Sequence, residues 1–146
     1  MAMKAPQNFE NHARILPAYH FVAFPLFAVN FLYMLYQVVT AFSWANLVGF
    51  GLSVALVLLF FVARVMALTV QDRVIRLEER LRMRAVLPAD LQTRIEEFTV
   101  KQLVALRFAS DAELPALARK VLDEKIADQK AIKQMVTSWR ADHQRA

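Results

Sequence analysis

The sequence predicts an all-α membrane protein: a transmembrane helical hairpin whose second span continues into a long cytoplasmic helix, followed by a small helical C-terminal region. Three observations carry that prediction. No Asp, Glu, Lys or Arg occurs between Arg14 and Arg64, although the flanking sequence is dense in charge. The uncharged stretch has room for two spans and is divided by a short connector, Thr40 to Ser43. Beyond Arg64 there is no Gly or Pro until Pro88, so a helix entering this region meets no breaker. The composition agrees, since 58% hydrophobic residues against 21% charged, with a mean hydropathy of +0.33, is too apolar for an ordinary soluble domain.

The chain divides by these criteria into four stretches: 1–18, a cytoplasmic lead; 19–63, the hairpin; 64–87, a charged juxtamembrane helix; and 88–146, a small helical domain. The lead is polar and irregular and ends at Pro17, a residue suited to the first position of a helix. Cleavage as a signal peptide fits poorly, because the polar lead is long and the apolar run after it is roughly a full span. The first span runs from Phe21 to Val39, enough at about 1.5 Å per residue to cross a hydrocarbon core of roughly 30 Å. Pro25 lies inside it and frees the carbonyl of Phe21, which can kink the helix or, near the cytoplasmic end, be satisfied by a neighbouring helix or water. The connector is too short for anything except an antiparallel return, and the second span runs from Trp44 to Ala63. Tyr36 and Trp44 mark the outer interface and Tyr19 the inner one.

Orientation follows from the basic residues. Lys4 and Arg14 precede the first span, Arg64, Arg73, Arg76, Arg80, Arg82 and Arg84 follow the second, and the connector carries no charge. Both termini are therefore expected in the cytoplasm. The same cluster accounts for most of the net charge of +5 and the pI near 9.9. From Ala85 onward acids and bases nearly balance, which weakens a nucleic-acid reading.

On the charged helix Val70, Val74, Leu77 and Leu81 recur at alternating four- and three-residue spacing, one narrow apolar stripe. Asp72 with Arg76 and Glu78 with Arg82 are placed for i,i+4 ion pairs. After Pro88, Thr99 with Gln102 and Ser110 with Glu113 match the capping box, Pro115 falls in or just after a first turn, and Asp128 caps a final helix. Ile132, Met135, Val136 and Trp139 form the apolar face of that helix. Leu103, Leu106, Phe108, Leu114, Leu117, Val121 and Leu122 supply the rest of a small core.

The segments Pro17 to Phe21, Gln71 to Arg82 and Gln102 to Asp111, with the tryptophan near the C-terminus, resemble an uncharacterised bacterial family of short two-span membrane proteins of unknown function. The resemblance covers nearly the whole chain. It implies a bacterial inner-membrane location and supplies no activity and no functional residues.

Candidate sites are few. Asn30, Tyr33 and Gln37 share a face of the first span, where polar groups in contact with lipid would be costly. Counting outward from the connector sets Asn30 against Ser53 and Gln37 against Asn46 or Gly49, so these residues are expected to pack the two spans together. Arg64, Arg73, Arg76 and Arg80 are candidates for anionic headgroups or an acidic partner. His20 is expected to make an interfacial hydrogen bond, with ligation of a metal or pigment as the sharper alternative. Only Gly49 and Gly51 occur, both in an apolar span, so no phosphate-binding or dinucleotide-binding loop can be built. Cysteine is absent, which removes disulfides, thiolate catalysis and Cys-based metal sites.

No catalytic, cofactor or metal site is expected. The functional expectation is a non-catalytic scaffold or accessory subunit of a larger bacterial membrane complex, in contact with anionic lipid and with a protein partner or a second copy. The stripe of Val70, Val74, Leu77 and Leu81 is its interaction surface, covered by the chain's own C-terminal helices, by a second copy or by another subunit. The rival readings are a membrane-tethered nucleic-acid binder and a cofactor-holding subunit that uses His20.

Overall fold

Pro25 shapes the entry into the first long helix, because it has no N–H to offer the carbonyl of Phe21. The residues before it widen into a π-helical turn, Ala18–Ala23, in which the N–H of Phe24 reaches back to the Tyr19 carbonyl. Helix α1, Phe24–Thr40, then follows with proline in its first turn. The wide turn takes up the irregularity that the sequence suggests as a kink. The computed structural model describes residues 7–11 and 15–142, and these are helical apart from turns, irregular segments and one isolated bridge. Lys4 and Arg14, which count toward the expected orientation, lie outside them.

The connector is closed by its own polar groups. Ser43 Oγ accepts the N–H of Asn46 at 3.1 Å, and the Asn46 amide donates to the Ala41 carbonyl at 2.6 Å. Those bonds satisfy groups left open at the end of α1 and the start of α2. Helix α2, Trp44–Val86, runs uninterrupted for 43 residues, as the lack of breakers requires.

The chain falls into two compact units, residues 14–68 and residues 69–146 with the first thirteen. In the first, α1 and the early part of α2 pack through aromatic rings. Tyr19 stacks on Phe60 at 4.0 Å, Phe27 meets Phe60 at 5.6 Å, and Phe31 meets Phe50 at 5.5 Å. These contacts join the two helices side by side. Their outward residues are apolar: Leu32, Leu52 and Leu59 are 61%, 61% and 63% exposed. The segments Ala18–Thr40 and Trp44–Val86 are both long and apolar enough to cross a membrane.

The second unit has a core of its own, built from Met83, Leu91, Leu103, Leu106, Leu114 and Ile132, all at most 1% exposed. A short helix α3, Ala89–Gln92, and a 3-10 turn, Ile95–Glu97, lead into α4, Val100–Leu106. The predicted capping box at Thr99 and Gln102 is complete, and Gln102 also donates to the Ile126 carbonyl at 2.9 Å, holding the loop after the next helix. Helix α5, Leu114–Asp123, ends with Lys125 at φ 51°, a left-handed residue that closes the helix where glycine is usual. Helix α6, Gln129–Met135, is capped by Asp128, which accepts from the N–H groups of Lys130 and Ala131.

Three details go against or beyond the sequence reading. The box at Ser110 is only half made: Ser110 Oγ accepts the Glu113 N–H at 3.3 Å, but the Glu113 carboxylate turns instead to the N–H groups of Thr137 and Ser138 at 2.9 and 3.0 Å. Trp139 lies beyond α6 in a short antiparallel bridge with Ala109 and packs on the buried ring of Phe108 at 4.9 Å. The lead is also not free, because the Gln7 side chain accepts the N–H of Asp142 at 2.8 Å and donates to its carbonyl at 3.4 Å.

Candidate interaction surface

From Thr69 onward α2 presents two opposed faces. One is covered within its unit: Ile75, Glu79 and Met83 are 5%, 5% and 0% exposed. On the other, Val70, Val74, Leu77 and Leu81 are 61%, 50%, 62% and 57% exposed. The stripe exists, but the chain's own C-terminal helices pack on the face behind it.

The covered face carries the charge cluster that sequence reasoning missed. Arg82 donates to Glu79 at 3.0 Å, to Asp111 at 2.7 Å and to the Ala109 carbonyl at 2.6 Å, which fixes the turn after α4 on the long helix. Burial pushes the Glu79 carboxyl above its ordinary value of 4.5, against the opposing pull of Arg82, Arg140 and Arg107. Arg107 is itself buried, 3.5 Å from Asp142. Glu78, Glu79, Arg82, Arg107, Arg140 and Asp142 line a shallow cleft in which both signs of charge face one another. A hydropathy scan reads these residues as a solvated face, so no sequence signal pointed to them.

The exposed face has a basic flank, with Arg73, Arg76 and Arg80 sharing a shallow groove with Val70, Val74 and Leu77. Arg80 is committed to Glu96 at 2.6 Å, and Arg84 approaches the same carboxylate at 3.9 Å. The expected pair of Glu78 with Arg82 does not form, because Arg82 turns inward to Glu79 and Asp111; Asp72 and Arg76 do not pair either.

Among the residues expected to pack the two spans, Gly49 is closely approached, since a Cβ there would stand 2.7 Å from Met34 Cε. Ser53 is 1% exposed, and its hydroxyl donates to the Phe50 carbonyl of its own helix at 2.7 Å. Asn30 is exposed and makes no hydrogen bond to Ser53. Gln37 donates to Tyr33 one turn earlier at 2.6 Å, and Asn46 serves the connector. The polar groups of Ser53, Gln37 and Asn46 are satisfied within their own helix or the connector, and rings and close packing join the helices. Arg64 lies over the ring of Tyr19 at 5.7 Å. The His20 ring shares hydrogen bonds with the Leu16 backbone, 3.0 Å from its carbonyl. A groove of about 250 Å³ lined by Phe24, Phe27, Phe31, Val57, Phe60 and Phe61 is almost wholly apolar, with nothing to orient a polar ligand. No metal-holding group of His, Asp or Glu occurs among the described residues.

These features define a class: a helical protein with two helices long and apolar enough to cross a membrane, joined in sequence to a small helical domain with its own core. The chain belongs to a family of unknown function (DUF6526), whose family model matches residues 3–146. No curated protein and no solved structure matches it.

Proposed function

We propose that the protein is a non-catalytic scaffold or accessory subunit of a larger bacterial membrane complex, anchored by a transmembrane hairpin and offering its partner the outward face of α2. The observation that carries this reading is the stripe of Val70, Val74, Leu77 and Leu81, each at least half exposed on a helix whose opposite face is already packed. Four aliphatic side chains in line are an association surface. In a bacterial inner membrane, a cytoplasmic location of both termini is supported by the distribution of Arg and Lys, and their lying on the same side by the pairing of Gln7 with Asp142. Anionic headgroups are the natural counterparts of Arg64, at the end of the uncharged stretch. A nucleic-acid role is disfavoured because Arg80, Arg94 and Arg119 are engaged with Glu96, Asp123 and Asp90.

The test is Leu77→Asp in the full chain, purified from native membranes in mild detergent. Leu77 supports no core, so hydrogen exchange at Leu103 to Leu106 should stay as in the wild type, while the native mass of the complex falls. An unchanged assembly would remove the main physical support for the scaffold.

A further inference from the structure

We infer that the exposed stripe of α2 is the seam of a parallel homodimer, in which Arg73 of each copy pairs with Glu78 of the other. This inference rests on the membrane-anchored reading above, which gives both copies the same orientation.

The spacing of the stripe assigns a single heptad phase. Steps of four, three and four residues put Val70 and Leu77 at d and Val74 and Leu81 at a. In the same phase Ile75 and Arg82 fall at b, Met83 at c, and Glu79 and Val86 at f. These are the positions packed or bonded within the chain. The intrachain core therefore occupies the back of the heptad and leaves the dimer seam open. At the centre of the seam Val74 at a and Leu77 at d form the pair that favours two strands, while Val70 at d and Leu81 at a are reversed.

Charge then selects the partner. Arg73 falls at g and Glu78 at the following e, five residues on, the offset at which g and e side chains meet across a parallel pair. Both are exposed, Glu78 at the edge of the charged cleft described above, and neither forms an ion pair within the described residues, whereas Arg80, the next g residue, is held by Glu96. A second copy in the same register completes both pairs at once. Two heptads make a weak seam for free chains; confinement of both copies to one membrane raises their effective concentration.

The absence of cysteine makes the test clean. Single substitutions Val74→Cys and Leu77→Cys, with Asp72→Cys and Arg76→Cys as off-seam controls, are oxidised in native membranes carrying the full chain. A disulfide dimer should form at Val74 and Leu77 and be several-fold weaker at Asp72 and Arg76. In the Leu77→Cys background, Arg73→Glu or Glu78→Arg should each lower the yield several-fold, and the double reversal should restore it. Equal yields at all four positions, or a double reversal without rescue, would overturn the dimer. A seam product with a chain of another mass would overturn the dimer and leave the scaffold reading standing. The absence of any product at Val74 or Leu77 would overturn the dimer, and an unchanged native mass for Leu77→Asp would sink the scaffold as well.

Discussion

Arg82 and Glu113 show how single side chains tie distant stretches of this chain together. Arg82 gathers Glu79, Asp111 and the Ala109 carbonyl onto one guanidinium whose side chain is 10% exposed, against 7% for that of Glu79. Removing one partner of such a pair strands a buried charge, so Arg82→Ala should cost about 3–5 kcal/mol in chemical unfolding of the unit that contains residues 69–146. Glu79→Gln should cost less, because it removes the charge that burial opposes and keeps an acceptor for Arg82. Burial alone would raise the Glu113 carboxyl. The N–H groups of Thr137 and Ser138 and the Thr137 hydroxyl outweigh it and hold the group below its ordinary 4.5. A folded value below the unfolded one gives stabilisation that is full above 4.5 and lost as pH falls through the folded value. Exchange protection of the Thr137 and Ser138 amides, corrected for intrinsic rates, should follow that course, and Glu113→Gln should abolish the pH dependence.

The two glycines of α2 make opposite predictions about one helix. Nothing stands within 4 Å of a Cβ built at Gly51, whereas one at Gly49 meets the end of the Met34 side chain. Gly51→Ala should therefore stabilise the helix by up to about 1 kcal/mol through backbone entropy. Gly49→Ala should be tolerated by a swing of the flexible Met34 terminus, but Gly49→Leu should overpack the contact at about 1–3 kcal/mol. Thermal unfolding of the detergent-solubilised protein, followed by circular dichroism, ranks all three. Elements such as α2 were legible in the sequence because their signals are local: an uninterrupted run of helix formers, and caps at Thr99 and Asp128 that need only neighbours. The π-turn before Pro25 was less legible, since a freed carbonyl admits more than one local repair.

For the whole molecule, the proposed topology predicts that reporters fused at Gln7 and at Ala146 both read out in the cytoplasm, and that a tag between Ala41 and Ser43 is reachable only from the other side. Opposite locations for the two ends would contradict both the basic-residue count and the contact of Gln7 with Asp142. The amino-acid sequence by itself determined the two apolar helices, the connector between them, the continuity of α2 to Val86 and the existence of a narrow stripe along it. Each of these depends on residue type and spacing along one stretch of chain. Only the tertiary structure decided which face of α2 is covered, because that face is held partly by Glu79 and Arg82, charges that become compatible with burial once Asp111 and the Ala109 carbonyl reach them from far along the chain. Hydrophobic periodicity finds a face whose residues are individually apolar; it cannot find one whose polar groups are satisfied by distant partners.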